Sequence, residues 1–191
     1  GGDGSLDSGV SSRLGGAILT WMSDKEAPVF VVATANNPER LDPAYVRRGR
    51  FDERFFIDLP GVKARKEIFT HHIAKRFPDI DLTTLKVDVL AKQANGFTGA
   101  EIEALIVEAK NLARSQNSNL TAEILYQCLK DMTPDSVAMT KTISHIRQLW
   151  GGDRARRADN EEPVDLKDGK AYNKSIADAV ETQEKRNLRR Y

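Results

Sequence analysis

Arg47 and Arg50, with Arg48 and Gly49 between them, are the side chains best suited to grip a phosphate. A guanidinium is planar, permanently charged and bidentate toward phosphate oxygens. Asn36 lies ahead of them, just past the apolar run Val29-Phe30-Val31-Val32-Ala33. Its amide can donate to a phosphate oxygen and accept from a water. Further on, Thr98-Gly99-Ala100-Glu101 joins a capping-box pattern to two small residues. A helix starting there lets a ligand approach its backbone and offers unpaired N–H groups. Each feature also has a plain structural reading. The arginines suit a solvated basic turn, Asn36-Asn37-Pro38 suits a turn, and Gly99 suits packing and capping.

Several elements must position these groups. The run from Val29 to Ala33 is short, β-branched and uncharged, which predicts a strand buried on both faces. Its polar end, Thr34 to Pro38, falls where ligands bind in open α/β sheets. A short helix, the arginine turn and a second strand over Arg54 to Asp58 follow, closing at Leu59-Pro60. Upstream, Gly1 to Gly9 reads as a flexible loop. Ser11 or Ser12 then caps a helix whose Val10, Leu14, Ala17, Ile18 and Trp21 face the sheet.

After Pro60 the period becomes helical. Ala64, Ile68, Phe69, His72, Ile73 and Phe77 share one side of a helix over Gly61 to Phe77, broken by Pro78. Val87, Leu90, Ala91 and Ala94 mark a second helix. Ile102, Leu105, Ile106, Ala109, Leu112 and Ala113 mark a third. Asn119 to Met132 forms a fourth, with Cys128 as a small core hydrophobe. Ile143, Ile146, Leu149 and Trp150 line another, ending near the basic Arg154, Arg156 and Arg157. From Asp159 the composition turns polar and reads as a linker. Ser175 to Arg190 is expected to form a marginal last helix.

The bulk numbers exclude several classes. The chain has 191 residues and a net charge of +1, so its composition does not call for nucleic acid or an anionic membrane. No aromatic platform interleaves the arginines, which also argues against nucleic acid. One cysteine excludes an internal disulfide and a cysteine-based zinc site, and no metal-ligand set is expected. The longest apolar run is far below the ~20 residues of a membrane span.

The ordered string of apolar strand, Ala-Asn-Asn-Pro, Leu-Asp-Pro-Ala and Arg-x-Gly-Arg-Phe-Asp resembles the second half of the ATPase core of AAA+ proteins. Within that family it looks similar to the cyanobacterial and plastid group named after a conserved chloroplast reading frame. The resemblance implies a partial P-loop-type α/β core over 1–60 and an all-α helical lid over 61–157. A polar tail, 158–191, lies beyond it. It implies that Asn36 is the water- or γ-phosphate-facing "sensor 1". Arg47 and Arg50 are then arginine fingers that reach the nucleotide of a neighbouring subunit. The family usually has Pro where this sequence has Arg48.

Arg65-x-x-Ile68-x-x-x-His72 resembles the first lid helix, which places Ile68 and His72 near adenine. Gly99 and Ala100 fall in the "sensor 2" segment, Ala100 where many branches carry arginine. The loop at the start corresponds to a pore loop. Neither a Gly-x-x-x-x-Gly-Lys-Ser/Thr loop nor a strand ending in Asp-Glu occurs in this sequence. ATP and Mg²⁺ are therefore expected to bind through residues outside it, and not tightly to this chain alone.

The implied partners are copies of the same protein in a ring, a hexamer in the family pattern, and an unidentified protein substrate to be remodelled. The implied setting is a cyanobacterial-type cytosol or a plastid stroma. The alternative is a catalytically inactive module that docks on a partner ATPase. A half-core also predicts an uncovered apolar edge at Val29 to Ala33, and hence self-association of the isolated chain.

Overall fold

The computed structural model describes residues 4–45, 47, 49–152 and 154–166, with side chains from Leu14 onward. Arg48 and the expected last helix, Ser175 to Arg190, lie outside the described residues. The chain divides into two compact units between Phe55 and Phe56.

The first unit opens with α1, Gly4–Asp24. This corrects the described part, Gly4 to Gly9, of the loop expected over Gly1 to Gly9, and the helix start expected at Ser11 or Ser12. Leu6, Val10 and Leu14 extend the four-residue spacing backward, and adding a turn to an existing helix costs less than starting one. The packed face is also rotated. Leu19 and Met22 are buried, whereas Leu14, Ile18 and Trp21 are exposed. Tyr45 ties the following loop to α1, its hydroxyl donating to the Gly15 carbonyl at 3.0 Å.

Val29 to Ala33 does not form the doubly buried strand that its composition suggests. The segment has no strand partner among the described residues. Phe30 is 93% exposed and Val32 75%. The cause is pairing rather than propensity: a central strand needs neighbours on both edges, and the described residues supply none. Leu14, Ile18 and Trp21 are uncovered for the same reason. The second expected strand shrinks from Arg54–Asp58 to β1, Phe55–Phe56.

The second unit is helical and carries most of the buried core. α2 (Val62–Arg76), α3 (Val87–Gln93), α4 (Gly99–Ser115) and α5 (Ala122–Asp131) pack together. Phe69, Ile73, Leu90, Phe97, Ile102, Leu105, Ile106 and Leu125 are fully buried there. The third expected stripe is observed on α4, where Ile102, Leu105, Ile106, Ala109 and Ala113 face inward. Its start is a complete capping box. Thr98 accepts from the Glu101 N–H, and Glu101 accepts from the Thr98 N–H at 2.8 Å. The other Glu101 oxygen accepts from the Asp135 N–H at 2.7 Å, fixing the short α6, Asp135–Ala138, beside that start. Gly96 makes the turn possible. Its φ is +84°, and a Cβ there would lie 2.5 Å from the Ser136 hydroxyl. Cys128 is buried, and burial pushes its thiol pKa up, consistent with a core role.

α7, Thr140–Trp150, is amphipathic but has no fully buried residue. After it, β2 (Arg156–Arg157) pairs with β1, and the Ala158 N–H donates to the Phe56 carbonyl at 3.0 Å. Residues 158–166, read as linker from composition, lie against the helices. Val164 is buried, and its carbonyl accepts from Arg147 at 2.9 Å.

Candidate functional site

In the first unit Asn36 is exposed at a bend at the end of the extended segment. Asn37 caps a single 3-10 turn, Pro38–Arg40, without a side-chain hydrogen bond. The arginine turn is built locally. Asp42 accepts from the Ala44 N–H at 2.8 Å, an Asx turn that sets the direction of the Ala44 carbonyl. That carbonyl accepts from Arg50 Nη1 at 2.6 Å. Arg47 is exposed, and its backbone N–H reaches the same carbonyl at 3.4 Å. Gly49, at φ +87° with open space around it, turns the chain between the two arginines. The turn therefore presents two cations, one tethered and one open to solvent.

In the second unit Ile68 and Gly99 are neighbours. A Cβ on Gly99 would meet Ile68 Cδ1 at 3.8 Å. Ala100 is exposed in the first turn of α4, where backbone N–H groups precede the helical ladder. His72 lies one turn beyond Ile68 on the same face of α2. Its Nδ1 is 3.2 Å from Arg76 Nη1 and 3.5 Å from Glu103. Arg76 donates to Glu103 at 2.5 Å. Arginine can only donate, so His72 Nδ1 accepts and the ring proton sits on Nε2. Arg76 and Glu103 had no signal in the sequence, because only the packing of α2 on α4 brings them together.

The same cluster sets the charge of His72. Burial lowers its pKa from 6.5 most, and Arg76, His71 and Lys75 lower it further against a raising pull from Glu103. The Arg76 hydrogen bond likewise holds Glu103 below its usual range. Both folded values are depressed. The stabilisation is thus complete above the unfolded pKa values and is lost as pH falls through the folded ones. An NMR titration is expected to find His72 protonating below 6.5. Glu103→Gln, which removes the one raising charge, is expected to lower it again; an upward shift would contradict the arrangement.

Residues 2–59 match the model of the "ATPase family associated with various cellular activities (AAA)". An uncharacterised AAA domain-containing protein, ycf46, of Guillardia theta is 41% identical over 152 residues. That alignment covers 80% of this chain and 30% of the relative. The ycf46 protein of Pyropia yezoensis is also 41% identical, over 80% of this chain and 31% of its own. The chain belongs to the AAA ATPase family. It is of the ycf46 type, and it spans less than a third of those relatives' length. Over a shorter stretch, the ATP-dependent zinc metalloprotease FtsH 3 of Symbiobacterium thermophilum is 45% identical over 87 residues, 44% of this chain and 13% of the relative.

The fit of the family's nucleotide to these residues is partial. Ile68, the open side of Gly99 and the Nε2–H of His72 suit the flat face and ring nitrogens of a base. No group of three or more His, Cys, Asp or Glu among the described residues is placed to hold a metal ion. Among the described helices, none is long and apolar enough to cross a membrane.

Proposed function

We propose that this chain supplies the water-positioning asparagine, the arginine fingers and the helical lid of a ring-forming ATPase. ATP with Mg²⁺ brings the transferable phosphoryl group, and the rest of the longer protein cradles its phosphates. Asn36 accepts from the attacking water and donates to a phosphate oxygen. Arg47 and Arg50 act across a subunit boundary, where a guanidinium neutralises the charge that spreads over the phosphoryl oxygens. Ile68 and Gly99 bracket the base, His72 Nε2–H donates toward it, and the N–H groups of Gly99 and Ala100 lie beside it. Hydrolysis in a ring, a hexamer on the family pattern, then drives remodelling of a protein substrate. The plastid stroma or a cyanobacterial-type cytosol is the setting.

The observation that carries this reading is the turn from Asp42 to Arg50, inside the AAA match, which holds one guanidinium by a single donor and leaves the other exposed. An arginine with only one donor committed keeps the rest of its fork for a phosphate. The test is Asn36→Ala in the full-length protein. Nucleotide affinity is expected to stay within a few-fold, while turnover falls roughly 10²–10³-fold, the scale for removing one positioned donor. Turnover equal to wild type would remove the water-positioning role, and a normal ring with no hydrolysis in either protein would leave the docking-module alternative.

A further inference from the structure

The segment after α7 is fastened to the rest of the second unit mainly by ion pairs and hydrogen bonds, most of them with a charged partner. Asp58, with a side chain only 2% exposed, faces Arg147 at 2.9 Å and Arg157 at 3.3 Å. Arg157 also reaches Asp159 at 2.9 Å and the Glu161 carbonyl at 3.1 Å. These carboxylates keep Arg157 more basic than an ordinary arginine. Glu161 then caps α2 from 97 residues away. Its two oxygens accept from the N–H groups of Lys63 at 3.0 Å and Ala64 at 2.9 Å. The residue at the cap position is Gly61, which has no side chain to do this, and a Cβ there would lie 2.2 Å from a Glu161 oxygen. Asn95 donates to the Asp165 carbonyl at 2.9 Å. Against these polar anchors, the described residues of the segment bury only Ala155 and Val164.

Most of the points it grips lie together: Phe56, Asp58, Lys63 and Ala64 belong to the stretch that leads into α2 and to its first turn, while Asn95 and Arg147 hold the last residues. We propose that Arg156–Leu166 is an ionically held strap that locks this connector, and that it releases as one piece while the helical core stays folded. Little apolar surface opposes release, so loss of charge pairing is enough to open it. Opening frees Phe56–Gly61 and uncaps α2. The more exposed Arg157–Asp159 pair is screened by salt before the covered Asp58 pair.

Hydrogen exchange on the full chain tests this, with Glu161→Gln compared against Val164→Ala. In Glu161→Gln the amides of Lys63, Ala64 and residues 158–166 are expected to exchange about 10–100-fold faster, the scale of a lost charged hydrogen bond. The amides of Leu105 and Ile106 keep a larger opening free energy than the strap's, before and after the change. Raising salt in the wild type moves the strap amides the same way, and Val164→Ala moves them less than Glu161→Gln. If the strap amides and those of Leu105 and Ile106 share one opening free energy in the wild type, the strap is part of the global fold and the proposal fails. It fails equally if Val164→Ala opens the strap more than the charge change does, or if neither salt nor Glu161→Gln alters exchange.

Discussion

Arg50→Ala in the full-length protein is expected to bind nucleotide normally and to lose turnover by roughly 10³–10⁵-fold. The magnitude follows from what a finger does. Phosphoryl transfer needs little covalent help, so a guanidinium placed against the developing charge supplies much of the acceleration. The residue is also placed to make the result readable. Arg50 makes one local hydrogen bond, to the Ala44 carbonyl, and Ala44 is fixed independently by Asp42. Losing one half-buried bond of that kind costs about 1 kcal/mol, too little to unfold a domain. Arg50→Lys keeps the charge but not the planar fork, and is expected to recover only part of the rate.

The decisive arm mixes subunits. A ring of Arg50→Ala subunits and subunits unable to hydrolyse should regain activity only at boundaries where an intact arginine meets an intact nucleotide site. No activity at any mixing ratio would place the arginine in its own site. Turnover unchanged in pure Arg50→Ala rings would remove the assignment.

Local rules read the helices well. The stripe on α4 and the Thr98–Glu101 box are both sequence-near patterns, and both are present. The same holds for the burial of Leu90, Ala91 and Ala94. What failed depended on residues far away or outside the described structure. Val29 to Ala33 has strand composition, but a strand is a pairing, and no partner is described for it. The tail failed in the opposite direction. Its composition is too polar to suggest packing, yet Glu161 and Arg157 find partners about a hundred positions earlier that no local window contains. Arg65 is the sharpest case. Its place in the helix period was visible, but not that its guanidinium would be buried, donating to the Ala91 carbonyl at 2.8 Å and the Pro60 carbonyl at 2.6 Å. Burial lowers its pKa, and nearby Glu161 pulls the other way.

Asp58→Ala is expected to destabilise the second unit by about 3 kcal/mol, the low end for breaking a buried pair from one side. The low end applies because the side chains of Arg147 and Arg157 are 19% and 26% exposed and regain some water once the carboxylate is gone. For a unit of this size that corresponds to a fall in melting temperature of roughly 10–20 °C. Urea unfolding followed by far-ultraviolet circular dichroism reads it as a lower midpoint at unchanged slope. Asp58→Leu with Arg147→Met removes the carboxylate and the nearer cation and leaves Arg157 its Asp159 partner; it should restore much of the loss if the penalty lies in stranding a cation rather than in losing a contact. The pair also decides where the helical unit can be cut. A piece spanning 61–157, the limits that the family resemblance implies, strands Arg147 without Asp58 and leaves the Lys63 and Ala64 N–H groups without Glu161. A piece spanning 56–166 keeps both. The shorter piece should therefore melt well below the longer one, although the two share every residue of the main apolar core. Equal melting points would mean that the core alone sets the stability, and that the charged clasp around Asp58 contributes nothing to it.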